Sequence, residues 1–211
     1  MRAGVVVLVA VFLCCQIASA GDWRVAVGGG IAWQDIDNHE LDWEHPRFRA
    51  AADSFDSGLA VYAGVERRIT SWLSAGAFYS YSLLRQRSRA KTYHPDYRPE
   101  YGLDRDIDVD VHAAAMYARP AIEIVDGVEA FVRGGAGWLY VDSSQLGHPH
   151  GLFLHAGCGL GYRIDERWGL EVVAAYNKGR AWGGMPDASD YRFGWTLIAL
   201  TFFGWDAAVG R

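Results

Sequence analysis

The chain of 211 residues is 51% hydrophobic, with 25 Gly, 9 Trp and 11 Tyr, a formal charge of −5 and a mean hydropathy of −0.03. Its aromatic and β-branched content excludes disorder, its acidity gives no basis for binding nucleic acid, and only one apolar run approaches a helical membrane span. A globular domain or a β-barrel remains, and hydropathy alone does not separate them.

The first element is an address. Arg2 supplies a basic start, Val5 to Cys15 an apolar run of 11 residues, and Ala18-Ser19-Ala20 a small-residue cleavage site. This pattern predicts a secretory signal peptide over residues 1–20, too short for a transmembrane helix. Its removal leaves 19 bases against 25 acids, a net charge of −6 (19 − 25), and Cys158 as the one remaining cysteine. The exported domain therefore folds without an internal disulfide.

From Trp23 onward, strict two-residue alternation marks strands whose faces meet different surroundings. In chain order, Trp23 to Trp33 sets Trp23, Val25, Val27 and Ile31 against Arg24, Ala26 and Gly28. Phe55 to Glu66 sets Leu59, Val61 and Val65 against Ala60, Tyr62 and Glu66. Leu73 to Leu83 sets Tyr79 and Tyr81 against Phe78, Ser80 and Ser82. Ile107 to Tyr117 sets Val109, Val111, Ala113 and Tyr117 against Asp108, Asp110, His112 and Met116. Val128 to Tyr140 sets Val132, Trp138 and Tyr140 against Glu129, Phe131 and Arg133. Leu152 to Arg163 sets Leu154, Cys158 and Leu160 against His155, Gly157 and Arg163. Leu170 to Asn177 sets Val172 and Tyr176 against Glu171 and Val173. Arg192 to Phe203 is apolar on both faces, and its phase is read with Trp195, Leu197 and Phe203 on the outward side. About eight strands result, most near the 9–11 residues that a tilted membrane-spanning strand needs.

The connections alternate in length. Residues 34–53, 85–105, 142–151 and 178–190 are long; residues 67–71, 119–127 (around Asp126-Gly127) and 165–167 are short. Pro46, Pro95, Pro99, Pro149 and Pro186 fall in the long connections, and Pro120 is read in a turn, as expected for a residue that cannot donate to a ladder. Aromatics gather near strand ends on the apolar face: Trp23, Tyr117, Tyr162 and Phe203 at one end, and Trp33, Tyr79, Tyr81, Trp138, Tyr140, Tyr176, Phe193 and Trp195 at the other. Such girdles suit a membrane interface.

The stretch LFLHAGCGLGYRIDERWGLEVVAAY (152–176) resembles the glycine-rich strand, tight turn and returning strand of OmpA-like, porin-family outer-membrane barrels of Gram-negative bacteria. WRVAVGGGIAWQ is similar to their first strand, and the likeness runs loosely over residues 21–205. It implies an all-β, eight-stranded antiparallel up-and-down transmembrane barrel, with residues 206–211 as a short tail. It also implies lipid and lipopolysaccharide as surroundings, barrel-assembly machinery as a partner during insertion, and no cofactor. The tail after Phe203 and Trp205 departs from the terminal aromatic that usually marks the last strand. A soluble, lipocalin-like carrier is the competing reading, carried by Gly21-Asp22-Trp23; a lipid A-modifying enzyme is the other. No His-x-Ser follows any His, so the expectation is a non-enzyme.

Three constellations stand out. Glu66, Glu129, Arg133, Arg163 and Glu171 share the polar face near the short-turn end and are expected to pair inside the lumen, since an isolated ion in a narrow interior is costly. Asp104, Asp106, Asp108 and Asp110, ending on His112, form a carboxylate comb expected at the lumen mouth, but spacing of about 7 Å at i, i+2 lets few of them share a cation. Arg85, Arg87, Arg89 and Lys91 continue the outward parity past Leu83. They would meet lipopolysaccharide phosphates, or else stand as a solvated basic loop. The pair His148 and His150 lacks a third ligand, so no metal site is expected. The loop partner cannot be read from the sequence.

Overall fold

The computed structural model describes residues 23–35, 58–87, 106–143, 148–183 and 191–205. They form eight antiparallel strands closed into one barrel. These are β1 (Trp23–Asp35), β2 (Gly58–Arg68), β3 (Leu73–Arg87), β4 (Asp106–Val125), β5 (Val128–Ser143), β6 (His150–Arg163), β7 (Trp168–Trp182) and β8 (Tyr191–Trp205). Each strand pairs with its neighbour in sequence, and β8 closes on β1. Closure leaves no sheet edge, which is the condition for a sheet to cross a bilayer.

The register fixes the barrel's geometry. A path perpendicular to the strands runs from Arg24 through Glu66, Gly76, Tyr117, Gly135, His155, Asn177 and Trp195. It returns to β1 at Gln34, ten residues beyond its start (34 − 24). Eight strands with a stagger of ten are strongly tilted and enclose an interior that side chains can fill.

Large apolar side chains coat the outside, among them Leu59, Met116, Val132, Leu154, Leu160, Val172, Ile198 and Leu200. Exposed Trp72, Tyr162, Trp168 and Phe202 ring the short-turn end, and exposed Trp33, Trp138, Tyr140, Tyr176 and Trp182 ring the other. Between these belts the described outward positions carry no Asp, Glu, Lys or Arg. That is the surface a bilayer requires, since a lipid-facing Arg or Lys at mid-depth costs about 2–4 kcal/mol.

Two strands face the opposite way from the sequence expectation. In β4, Val111, Ala113, Ala115, Tyr117 and Arg119 are buried inside, while Ala114 and Met116 face outward with His112. Both faces of this strand are small and weakly polar. The only charged residue at membrane depth, Arg119, was read as part of a turn, so the acids at the outer end misled the phase. In β8, Trp195, Leu197, Ala199, Thr201 and Phe203 point inward, and Ile198, Leu200 and Phe202 point outward. Tyr117, Trp195 and Phe203 therefore leave the expected girdles for the interior.

The β4–β5 connection is also shorter than expected. Only Asp126 and Gly127 turn the chain, with Gly127 at φ 76° and a register shift just before it. A glycine at positive φ beside a bulge is the economical way to close such a hairpin. Pro120 lies within β4, opposite Leu73 at the end of the β3 ladder. On its other side the β5 ladder lapses between Ala118↔Gly134 and Ala121↔Phe131, as the missing N–H requires. The expected signal peptide and the tail after Trp205 lie outside the described residues.

Candidate functional site: the lumen and its rims

The interior is divided into two storeys. Near the short-turn end, β1, β2, β4 and β7 each project one charged side chain inward, Arg24, Glu66, Arg119 and Glu171, and β5 projects two, Glu129 and Arg133. Arg24 Nη2 lies 3.1 Å from Glu66 Oε2 and 2.9 Å from Glu171 Oε2, and its Nη1 lies 3.5 Å from Glu129 Oε1. Arg119 pairs with Glu129, and reaches Glu66 Oε1 at 3.6 Å and Glu171 Oε2 at 3.5 Å. Arg133 pairs with Glu171. Each carboxylate thus meets at least two guanidinium groups, and three cations balance three anions.

Neutral donors and aromatic faces complete this cluster. The Tyr117 hydroxyl donates to Glu66 Oε2 at 3.1 Å, and Arg133 Nη1 donates to the Tyr62 hydroxyl at 3.1 Å. Arg119 lies 4.0 Å from the centre of the Phe131 ring, and Arg24 lies 4.7 Å from that of Phe203. Forked, weakly hydrated guanidinium groups suit such shared, partly dry pairing far better than ammonium groups. Burial makes the cluster an all-or-none arrangement: the charges cost several kcal/mol each to desolvate and are tolerable only together.

Small residues make the space. A Cβ on Gly161 would stand 3.0 Å from Glu129 Cγ, and one on Gly76 would stand 2.9 Å from the Tyr117 ring and hydroxyl. One on Gly159 would collide with Phe131. The glycine-rich face of β6 is thus the counterpart of the bulky face of β5.

Above the charges the lumen turns apolar. Phe78 packs on Tyr62 with ring centres 5.4 Å apart, on His155 at 4.7 Å and on Phe153 at 6.5 Å. Phe153 meets Trp195 at 5.1 Å. Leu84, Val111, Leu139, Val141 and Ala181 close the outer end and are buried. Among these groups is a cavity of about 10 Å³, lined by Tyr62, Ser80, Arg133, His155 and Asn177 among others. It is near the minimum for one water molecule. His155 Nδ1 and Asn177 Oδ1 are 2.8 Å apart.

Of the residues singled out by sequence, Glu66, Glu129, Arg133 and Glu171 come together here. Arg163 does not join them. It is exposed at the short-turn mouth, where a cavity of about 170 Å³ is lined by Arg68, Glu123, Glu129 and Arg163. Arg24 and Arg119 complete the cluster and were missed. Arg24 had the correct parity with no reason to single it out; Arg119 would have been found by extending the β4 alternation past Tyr117.

The described parts of the two outer combs lie on paired strands. Arg85 is the ladder partner of Asp108, and Arg87 of Asp106, so bases and acids alternate across the β3–β4 seam. Asp110 shares the outward phase of His112, not the expected lumen-facing one. Beside it, the Tyr79 hydroxyl and His112 Nδ1 are 2.7 Å apart. Arg89, Lys91 and Asp104 lie outside the described residues. Cys158 is free and exposed on the outer face, as its parity implies.

A closed antiparallel barrel with an apolar coat, two aromatic belts and a charged interior defines an integral protein of the bacterial outer membrane. The chain belongs to the outer membrane protein beta-barrel domain family, whose model matches residues 5–197. Its short turns are therefore periplasmic and the opposite end of the barrel faces outward. The fold is similar to that of neisserial surface protein A, at 10% identity and TM-score 0.61, covering 87% of this chain and 97% of that one. It is also similar to OprG of Pseudomonas aeruginosa (11%, TM-score 0.51, covering 89% and 97%). A third likeness is to the outer membrane protein AlkL (12%, TM-score 0.51, covering 90% and 93%). At such identities the likeness concerns the fold alone. No curated protein matches the sequence.

Proposed function

We propose that this protein is a closed, non-catalytic outer-membrane barrel with a structural and surface-contact role, exercised through its outward connections. The observation that carries this reading is the balanced cluster of Arg24, Arg119 and Arg133 with Glu66, Glu129 and Glu171. It spans the lumen from five strands, and an aromatic and aliphatic fill lies above it. A permeating ion would have to separate buried ion pairs and then cross an apolar layer, two barriers in series. Surface contact falls to the connections because they are the parts of a barrel free to vary without disturbing the ladder.

The test is solute efflux from liposomes carrying the folded protein. Release of trapped glucose no faster than from protein-free liposomes is expected. Release proportional to the amount of inserted protein would overturn the closed-lumen reading.

A further inference from the structure

Below the ion cluster the lumen opens into the periplasmic cavity of about 170 Å³. Phe203, packed against Arg24, closes it from above, and Glu123, Glu129 and Arg163 stand on its wall. Glu123 and Glu129 are ladder partners across the β4–β5 hairpin. The Gly127 N–H donates to Glu123 Oε1 at 3.0 Å, which fixes that carboxylate in place. Glu129 serves Arg119 and Arg24, yet its side chain is 25% exposed, against 2% for Glu66 and 0% for Glu171. It is thus the carboxylate that the cluster shows to the cavity. Gly161, its partner on β6, leaves the space beside it clear: a Cβ there would stand 3.0 Å from Glu129 Cγ. Two residues further along β6, Arg163 lines the same cavity.

Two features of this wall call for a ligand. Carboxylates directly opposite each other on an antiparallel ladder repel, and a cationic group placed between Glu123 and Glu129 would relieve that. Among the described residues no carboxylate pairs with Arg163, so its fork is open to an anion. Arg68 lines the cavity too but is engaged in a contact of its own, so the cationic side rests on Arg163. Phe203, Ala121 and Val128 add apolar surface beside these charges. The volume is that of a few water molecules, each about 30 Å³ in the liquid. It lies well below the roughly 300–1,000 Å³ of sites for drug-sized ligands.

We infer that the periplasmic mouth is a binding site for a small zwitterion, an α-amino acid with an apolar side chain. Arg163 takes the carboxylate through its planar fork. Glu123 and Glu129 take the ammonium between them, and the side chain lies on Phe203 and Ala121. A ligand with one charge alone satisfies half of this wall and leaves the other half as it was. The site lies beneath the ion cluster and needs neither an open nor a closed lumen, so failure of the efflux test leaves the inference standing.

The test titrates the detergent-folded, nitrogen-15-labelled protein with leucine and follows the amide resonance of Gly127, whose N–H is bonded to Glu123. Parallel titrations use 4-methylpentanoate, which lacks the ammonium, and 3-methylbutylamine, which lacks the carboxylate. A saturable shift with leucine is expected, and binding of each singly charged analogue weaker by at least about tenfold, the loss of a charge-assisted contact. Arg163→Gln and Glu123→Gln should each weaken leucine binding by a similar factor. Absence of a saturable shift with leucine would overturn the inference. So would equal binding of either analogue, or undiminished leucine binding in Arg163→Gln. The wild-type comparison among the three ligands decides the matter even if a variant fails to fold.

Discussion

At the scale of single residues, the lumen shows why charge count alone says little. Glu171 is buried and meets Arg24 and Arg133 together, with Arg119 at 3.5 Å. Replacing it by Gln keeps the volume and leaves guanidinium charge uncompensated in a dry interior. The expected loss is about 3–5 kcal/mol of unfolding free energy in urea titrations of the lipid-reconstituted protein. Arg163, also charged and on the lumen-facing parity of β6, sits instead at the wet periplasmic mouth. Arg163→Gln is expected to change stability by no more than about 0.5 kcal/mol in the same titration. Similar losses for the two variants would show that the cluster is not the coupled, buried unit described above.

At the scale of elements, the alternation made strand number and most strand phases legible, because polar and apolar side chains there segregate cleanly. β7 is an example, with Glu171 and Asn177 against Leu170, Val172 and Tyr176. β4 and β8 were not legible, for different reasons. Alanine occupies both faces of β4 over positions 113–115, so its phase hangs on a few flanking residues, and the acids beyond the membrane edge outvoted Arg119. In β8 the inward face is itself apolar, because Trp195 and Leu197 help fill the outer half of the lumen. Pairwise ion contacts were legible only as a class: period-2 parity places Glu66 and Glu171 on inward faces, but the stagger that brings them to Arg24 is set by all eight registers. The β4 assignment can be checked with single cysteines in a Cys158→Ala background. A fluorophore at Ala114→Cys should be quenched by lipids bearing a bromine in the acyl chain, and one at Ala115→Cys should not. The reverse pattern would restore the opposite phase.

At the scale of the whole molecule, the near-zero mean hydropathy is the average of three surroundings: an apolar coat, a lumen that is charged below and apolar above, and polar connections. Much of the hydrophobic content faces lipid, and part of the remainder packs in the outer half of the lumen. Because its strand ladder is closed, the protein is expected to migrate differently on gels before and after boiling; absence of that shift would mean that the ladder is not closed in the membrane. We propose that six paired charges and the fill above them seal the lumen. Planar-bilayer recording tests it most directly, comparing the wild type with Glu66→Ala/Glu129→Ala/Glu171→Ala, confirmed as folded by its gel shift. The wild type is expected to show no resolved conductance steps, and the variant, with its cluster broken, to show frequent openings. Steady, ohmic conductance from the wild type, unaltered by the substitutions, would mean that the lumen is open and that the cluster does not seal it.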